Sequence, residues 1–271
     1  MSAYILPQES DRERERQRLA LNQSYLDAHT VRCLDAIGVA SGWRCLDAGA
    51  GGGSISRLLA DRVGEDGSVL ALDLDIALLD ERPNLKARRH DLRTDPLPES
   101  AFDLVHTRLL LTHLPEREEV LSRLVRAVRP GGTLVVGDFT YATVRRNRPD
   151  ARFERVAEAY GTVSRRAGGD PAIGPALPGM LERHGITGVR AEASRGYHPG
   201  GSLMARLIGM TFERIREQIL ALGVGEADLA HAQRVLRDPS AGLYGHELWT
   251  SWGIRPARPG PQGADGGPGS A

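Results

Sequence analysis

The spacing of hydrophobic residues changes near Trp43 and divides the chain into two kinds of pattern. Before Trp43 the spacing is helical. Ser10 and Glu13 have the spacing of a capping box, and the stretch 23–37 carries its apolar residues on one stripe before Gly38. We therefore predict two N-terminal helices, in a helical extension over residues 1–40.

From Trp43 onward, short apolar runs alternate with helical stretches, which is typical of a parallel sheet with crossover helices. The expected helices cover 54–62, 76–81 and 116–128. The expected strands cover 43–48, 68–73, 86–90, 102–106 and 133–138. This order predicts an α/β fold with a doubly wound, mostly parallel, Rossmann-like sheet.

The alternation becomes less regular after Asp138. The elements expected there are helices at 151–166 and 181–184, a strand at 188–194, a long helix after Gly201 and a last strand at 247–254. Residues 203–219 repeat apolar positions every three or four residues, which fits core packing or a lid over a substrate pocket. We expect a domain over 41–254 with a helical lid insertion at about 197–240, and a disordered Pro/Gly-rich tail over 255–271.

Composition narrows the class of protein. The 271 residues suit one compact domain with extensions, and 35 basic residues balance 35 acidic ones, which disfavours a nucleic-acid or anionic-membrane partner. The two cysteines, Cys33 and Cys45, have no metal-ligand or CxxC spacing, so we predict a reduced cytoplasmic protein without a metal site. The charged N-terminus and the absence of a long apolar run predict neither secretion nor membrane insertion.

A glycine-rich turn follows the first predicted strand and precedes a helix. Gly49 and Gly51 remove side chains, so a ligand can approach the backbone. The dinucleotide-binding fingerprint needs a third glycine where this chain has Ser54, and Asp47 before the turn would repel a pyrophosphate. A carboxylate there suits a ligand with an ammonium and a sulfonium group, so the pattern indicates a cationic ligand.

A second acid, Asp73, ends the next predicted strand 20 residues after Gly53. In that position it can accept hydrogen bonds from both ribose hydroxyls of a nucleoside. A plain strand-end or capping aspartate is the alternative. Asp75 is expected to cap the next helix, and no further ligands accompany the pair to make a metal site.

Five segments in order are similar to the motifs of the class I S-adenosylmethionine-dependent methyltransferases. The segments are CLDAGAGGGS (45–54), VLALDLD (69–75), HDL (90–92), FDLVHTRLLLTHL (102–114) and VRPGGTLVV (128–136). The resemblance covers about residues 30–140 and implies the seven-stranded methyltransferase fold with S-adenosylmethionine as cofactor.

The resemblance also implies positions for the cofactor. Arg108 stands where a small residue is common, and it would bind the carboxylate of the cofactor or an acidic substrate. The implied contacts are Asp47, Gly49, Ala50 and Gly51 at the methionine end, Asp73 and Leu74 at the ribose, Asp91 and Leu92 at the adenine, Thr107 and Arg108 near the sulfonium, and Tyr25 and Thr30 closing over it from the N-terminal helices.

Methyl transfer needs a base only if the acceptor atom loses a proton, and a histidine suits that task near neutral pH. His106 and His113 flank the end of the fourth strand, and His113 is our prediction for the base. Asp138 and Tyr141 follow the fifth strand and are expected to orient the acceptor. Each histidine also fits a purely structural role.

We expect methyl transfer to an O, N or C atom of a small, partly hydrophobic metabolite, because Met204, Leu207 and Phe212 suggest an apolar pocket. The Arg- and Gly-rich composition is associated with secondary metabolism. A homodimer is left open. The alternatives are a protein that uses the cofactor without methyl transfer, for example in a cyclisation, a nicotinamide-dependent oxidoreductase, and an RNA or protein methyltransferase. The sequence argues against an RNA or protein methyltransferase, because it has no aromatic stacking platform and no Asn/Asp-Pro-Pro-aromatic signature at 106–109.

Overall fold

A mixed sheet of seven strands organises the protein, and the computed structural model describes residues 12–141 and 144–257. The sheet order is β3-β2-β1-β4-β5-β10-β7, with parallel pairing from β3 to β5 and antiparallel pairing of β10 with β5 and β7. These strands are β1 (Arg44–Ala48), β2 (Ser68–Asp73), β3 (Leu85–Arg89), β4 (Phe102–Arg108), β5 (Val128–Thr140), β7 (Thr187–Ser194) and β10 (Glu247–Ile254). The predicted doubly wound, mostly parallel sheet is confirmed.

Helices cover both faces of this sheet, so its central strands are buried on both sides, as parallel strands require. The helices are α1 (Arg12–Ile37), α2 (Ser54–Val63), α3 (Arg117–Ala127), α4 (Ala151–Arg166), α5 (Leu177–Arg183), α6 (Leu203–Arg214), α7 (Arg216–Leu220) and α8 (Glu226–Arg237). Among the described residues, no helix is long and apolar enough to cross a membrane.

The two N-terminal helices and the helix at 76–81 differ from their predictions. The two expected N-terminal helices are one continuous helix, α1, whose proposed cap Ser10 lies outside the described residues. The helix expected at 76–81 is wrong, because the chain there forms turns. The Asp75 carboxylate accepts the Ala77 N–H at 3.0 Å, and this local hydrogen bond competes with helix formation. Pro83 follows within a few residues and limits the length of any helix here.

The region expected to form a lid contains α6, α7 and α8 with a small second sheet, β6-β9-β8. The strands of this sheet are β6 (Arg145–Arg146), β8 (Tyr197–Pro199) and β9 (Gly242–Tyr244). Met204 and Phe212 on α6 are buried in one apolar cluster with Phe139 of β5 and Phe153 of α4. The region is therefore packed into the core, and it also covers the carboxyl edge of the main sheet.

The predicted tail falls almost entirely on residues 258–271, which lie outside the described residues. Its first residue, Arg255, continues the strand before it. The Arg255 N–H donates to the Gly132 carbonyl oxygen at 2.9 Å, and the Arg255 carbonyl oxygen accepts the Gly131 N–H at 2.7 Å.

Candidate functional site

A cavity of about 260 Å³ opens at the carboxyl ends of the parallel strands, beneath α1, α4 and α6. We divide its lining into two parts. The glycine half contains Asp47, residues 49–52, Asp73, Leu74, Asp91, Leu92, His106 and Arg108. The aromatic half contains His113, Phe139, Tyr141, Tyr160, Leu207, Thr211, Arg214 and His246.

The turn after β1 has a backbone that favours glycine. Gly49 and Gly51 have φ values of +75° and +55°, a region that residues with a Cβ rarely adopt. A Cβ on Gly49 would lie 3.3 Å from the Leu110 side chain, and one on Gly51 would lie 3.4 Å from Leu19 on α1. The turn therefore forms a cradle of exposed backbone at Gly49 and Gly51, as predicted for a ligand that approaches the backbone.

Asp73 at the end of β2 lies against this turn. One carboxylate oxygen accepts the Gly51 N–H at 2.8 Å and the other accepts the Asp75 N–H at 3.1 Å. Burial raises the pKa of Asp73, although these N–H bonds oppose the shift. A carboxylate has about four lone-pair sites, and the Leu74 N–H also contributes to holding this one, so it retains capacity for a ribose hydroxyl.

Asp91 follows β3 and also lines the glycine half. Its oxygens accept hydrogen bonds from Arg93 Nε at 2.9 Å and Arg93 Nη2 at 2.7 Å, and this pairing lowers the pKa of Asp91. An adenine amino group at Asp91 would therefore share the carboxylate with Arg93. Leu92 beside it is buried and presents an apolar surface to the cavity.

Asp47 and His106 form a buried pair below the glycine turn. They are register partners on β1 and β4, each 2% exposed, and His106 Nδ1 donates to Asp47 Oδ1 at 2.8 Å. Ser56 Oγ donates to the other oxygen at 2.5 Å. Burial alone would raise the pKa of Asp47, but the bonds from His106 and Ser56 outweigh it and lower the pKa. Both predicted residues line the cavity, and His106 is held by Asp47.

Arg108 joins α1 to the end of β4. It donates to Thr30 Oγ1 at 2.8 Å and to Asp27 Oδ1 at 2.9 Å, and Ser54 Oγ donates to the same Asp27 oxygen at 3.1 Å. Arg108 lines the cavity, but its guanidinium is engaged by the protein. Thr30 lies behind Arg108 and does not line the cavity, so it supports the glycine half through that side chain.

Two other predicted residues are directed away from the cavity. Thr107 alternates with His106 and Arg108 along β4, so its side chain faces the opposite side, where Oγ1 donates to the Ala48 carbonyl oxygen at 2.8 Å. The Tyr25 hydroxyl is hydrogen-bonded to His198 Nε2 at 3.1 Å, against β8. Neither lines the cavity.

The aromatic half places two histidines among three aromatic rings. The His246 ring centroid lies 4.8 Å from that of Tyr141, 5.0 Å from Phe139 and 6.0 Å from Tyr160. Burial lowers the pKa of His246 to about 3 and that of His113 to about 4. Both imidazoles are therefore neutral at physiological pH and can accept a hydrogen bond. Burial raises the pKa of Tyr141 and Tyr160, so both phenols keep their protons.

His246 was not among the residues predicted from the sequence. Its Nδ1 is buried and has no hydrogen-bond partner within residues 12–141 and 144–257. The residue directly precedes β10, which runs antiparallel to β5, so the start of β10 meets the carboxyl ends of the parallel strands. The direction of that last strand is the signal that would have located His246.

Asp138 is not placed in the cavity. It is 0% exposed on β5, where its neighbour Phe139 lines the cavity and Asp138 alternates to the other side. Tyr141, which follows β5 directly, also lines the cavity. Its Oδ2 accepts the Thr112 N–H at 3.0 Å, and burial raises its pKa to about 7 despite that bond. Asp138 therefore supports the turn at Leu111–His113, which carries His113.

Replacing Asp138 by Asn should change how stability depends on pH. Because the folded-state pKa is raised from an ordinary value of about 3.9 to about 7, the folded state holds the extra proton and this carboxyl makes stability fall as pH rises through that window. Relative to the wild type, Asp138→Asn should gain on the order of 2–4 kcal/mol between pH 4 and pH 8. Urea unfolding across this range measures it, and parallel curves for the two proteins would contradict the assignment. His113 and His246, whose lowered pKa values act in the opposite direction, are common to both proteins.

The family model and two curated relatives that match this chain are methyltransferases. A family model described as "Methyltransferase domain" matches residues 46–136. Methyltransferase str2 of Strobilurus tenacellus is 32% identical over 142 residues, which is 51% of this chain and 51% of that protein. Demethylmenaquinone methyltransferase of Renibacterium salmoninarum is 34% identical over 114 residues, covering 41% of this chain and 47% of that protein. The chain thus spans about half the length of these curated relatives.

Solved structures share the fold at low sequence identity. Phosphoethanolamine N-methyltransferase 2 of Haemonchus contortus, solved with phosphomonomethylethanolamine and S-adenosylhomocysteine, has a TM-score of 0.52 at 16% identity, covering 89% of this chain and 52% of that one. The YcgJ protein of Bacillus subtilis has a TM-score of 0.56 at 13% identity, covering 84% of this chain and 99% of that one. At such identities the likeness concerns the fold.

Proposed function

We propose that this chain, whose residues 46–136 match the methyltransferase family model, is a class I S-adenosylmethionine-dependent methyltransferase that transfers a methyl group from this cofactor to an O, N or C atom of a small, partly hydrophobic metabolite. The resemblance of the five motifs is confirmed at the level of the family. The acceptor, a place in secondary metabolism and a cytoplasmic location are parts of this proposal.

The residues of the glycine half fit the cofactor. The cradle at Gly49 and Gly51 exposes its backbone, and Asp73 beside it has capacity left for a ribose hydroxyl. Leu74 and Leu92 offer apolar surface for a purine ring. When bound, S-adenosylmethionine supplies a methyl group on a sulfonium, which is already a good leaving group.

The observation that carries the proposal is the aromatic half of the same cavity, directly beside the glycine half. Rings of Phe139, Tyr141 and Tyr160 provide flat apolar surface, and Leu207 on α6 adds an aliphatic wall. The enclosed size suits a small molecule rather than a polymer. Because positioning supplies most of the rate in a displacement with a good leaving group, this surface can perform the main task of the enzyme.

Polar groups at the aromatic half would orient the acceptor. Neutral His113 and His246 can each accept a hydrogen bond from a hydroxyl or amine, and the Tyr141 hydroxyl can donate one. Arg18 and Arg214 line the same cavity, and both form ion pairs with Glu15. An acceptor with an apolar ring and one polar end matches this lining.

The proposal is tested by incubating the purified protein with S-adenosylmethionine and a panel of phenols, amines and quinols. Mass spectrometry should show an acceptor gaining one methylene unit in mass, with S-adenosylhomocysteine formed in equal amount. Cofactor binding without methylation of any acceptor would contradict methyl transfer and favour use of the cofactor in another reaction, such as a cyclisation. NAD binding in place of S-adenosylmethionine binding would contradict the cofactor assignment.

With a methylated acceptor in hand, His113→Ala should lower kcat by about 10²- to 10⁴-fold if His113 removes a proton. The affinity for S-adenosylmethionine, measured by calorimetry, should stay within about threefold because His113 lies in the aromatic half. His184→Ala is the matched control, since this histidine pairs with Glu118 far from the cavity lining. A kcat equal to that of the control would remove His113 from the mechanism.

A further inference from the structure

A cluster of three different metal-ligand side chains lies outside the cavity, where α1 meets the edge of the main sheet. His29 and Cys33 occupy successive turns of α1, and Glu192 comes from β7. Their ligand atoms, one from each side chain, all lie within 4.8 Å of one another. The mechanism uses none of the three, and the spacing of cysteines in the sequence predicted no metal site.

The distances match those of a small coordination sphere. Cys33 Sγ lies 3.7 Å from His29 Nε2 and 3.9 Å from Glu192 Oε2. In a tetrahedral zinc site, bond lengths of about 2.3 Å to sulfur and 2.0–2.2 Å to nitrogen or oxygen place neighbouring ligand atoms about 3.6 Å apart. The two Cys33 distances are therefore within a few tenths of an ångström of this spacing, and His29 and Glu192, whose ligand atoms lie within 4.8 Å of each other, would draw together around the ion.

We propose that His29, Cys33 and Glu192 bind one borderline-soft divalent cation, with Zn²⁺ as the best match. The bound cation ties α1 to the edge of the sheet. One thiolate, one imidazole and one carboxylate form a donor set typical of zinc rather than of magnesium or calcium. On binding, the Cys33 thiol loses its proton to solvent and its sulfur donates an electron pair to the ion. Water takes the fourth position, on the side where Glu192 is exposed.

The residues around the cluster can accommodate an ion if Arg32 moves away from His29. His29 is 6% exposed and Cys33 is fully buried, so α1 holds both donors in place. His29 Nε2 is now 3.1 Å from Thr250 Oγ1, and Arg32 Nη2 is 3.2 Å from His29 Nδ1. An ion at Nε2 places the imidazole proton on Nδ1, so Arg32 has to turn toward solvent. Its other guanidinium nitrogen donates to the Ala28 carbonyl oxygen at the exposed surface of the helix, where water can replace that bond.

An ion at this cluster would also influence the glycine half of the cavity, because α1 connects the two places. Residues Asp27 and Thr30 of the same helix hold Arg108, and Leu19 and Gln23 line the cavity. Fixing the second half of α1 to β7 restricts the helix that forms one wall of the glycine half. Zn²⁺ should therefore raise the melting temperature, because a ligand that binds only the folded state stabilises it.

The test uses Co²⁺ as the probe, on full-length protein without a polyhistidine tag and dialysed against a chelator. One equivalent of Co²⁺ should produce a near-ultraviolet thiolate-to-cobalt absorption band, which Zn²⁺ then abolishes by displacement. Since loss of even a supporting partner weakens metal sites by roughly 10- to 100-fold, Cys33→Ser should remove the band and Glu192→Gln should weaken Co²⁺ binding by at least that factor. Arg32→Gln should tighten it.

Cys45→Ser is the matched control, because Cys45 is equally buried in the same apolar cluster but has no clustered His or carboxylate ligands among the described residues. It should keep the band. Absence of a band in the wild type, or a band unchanged in both Cys33→Ser and Glu192→Gln, would overturn the proposal. Glu192→Gln changes an exposed side chain and leaves the core intact, so its result does not depend on refolding. S-adenosylmethionine binding, measured on the same preparations, reports separately on the proposed function.

Discussion

Gly51→Val should abolish detectable binding of S-adenosylmethionine, with a loss of affinity of about 100-fold or more. Two effects act together at this position. The φ of +55° is strained for a β-branched residue, at a cost of about 1–3 kcal/mol, and the new side chain would enter the cradle beside Leu19. The Gly51 N–H also holds the Asp73 carboxylate at 2.8 Å, so a shift of the turn would displace a second cofactor contact.

Calorimetric titration with the cofactor measures this loss, and two variants separate its causes. Gly223→Val places the same residue at a φ of +86° with no atom within 4 Å of the new Cβ, and Gly223 does not line the cavity. It should lose stability but bind the cofactor normally. Asp73→Ala should weaken binding by about 10- to 100-fold, consistent with the loss of hydrogen bonds to a charged acceptor. Near-normal affinity of folded Gly51→Val would refute the placement of the cofactor on this turn.

The sequence was sufficient for residues whose position follows from strand order. Asp73 ends β2, and its position was predicted from that strand end, because the carboxyl ends of parallel strands meet at one edge. Asp91 follows β3 at the same edge, and its position was implied by the methyltransferase resemblance. The structure brings both to the cavity. Their roles with a ribose and an adenine remain predictions.

Side-chain alternation explains why two predicted site residues, Thr107 and Asp138, do not line the cavity. Along β4, His106 and Arg108 face the cavity and Thr107 faces away. At the end of β5, Phe139 and the following residue Tyr141 line the cavity, and Asp138 does not. The sequence shows which side chains of a strand share a face, because they alternate every two residues. It does not show which face is directed to the cavity until one residue of that strand has been placed. That direction depends on packing against α1, α4 and α6, which come from distant parts of the chain.

Contacts between distant segments could not be predicted at all. Asp47 was expected at the methionine end of the cofactor, yet both of its oxygens are engaged by His106, 59 residues away, and by Ser56. Arg108 was expected to bind a carboxylate of a ligand and is instead held by Asp27 on α1. In both cases a strand was predicted in the right part of the chain, and the partner depended on register and on how α1 crosses the sheet edge.

The Asp47–His106 pair leads to the second large effect, on stability. Asp47→Ala should destabilise the protein by about 2–5 kcal/mol, because it leaves the His106 Nδ1–H and the Ser56 hydroxyl buried without their acceptor. Urea unfolding of the wild type and the variant, with the slope m compared as well as the midpoint, measures this cost. Ser56→Ala removes a single hydrogen bond from the same carboxylate and should cost about 1 kcal/mol.

A double-mutant cycle then tests whether the pair acts as a unit. His106→Leu should by itself be destabilising, because the ionised Asp47 carboxylate loses a buried donor, and the pKa of Asp47 is lowered mainly by that bond against the effect of burial. In the double variant Asp47→Ala, His106→Leu, neither partner is left unpaired, so the combined loss should be smaller than the sum of the single losses by about 1–3 kcal/mol. Additive losses would mean that the two residues support the fold independently. In that case the glycine turn would rest on the β1–β4 backbone pairing rather than on a buried ion–dipole pair beneath it.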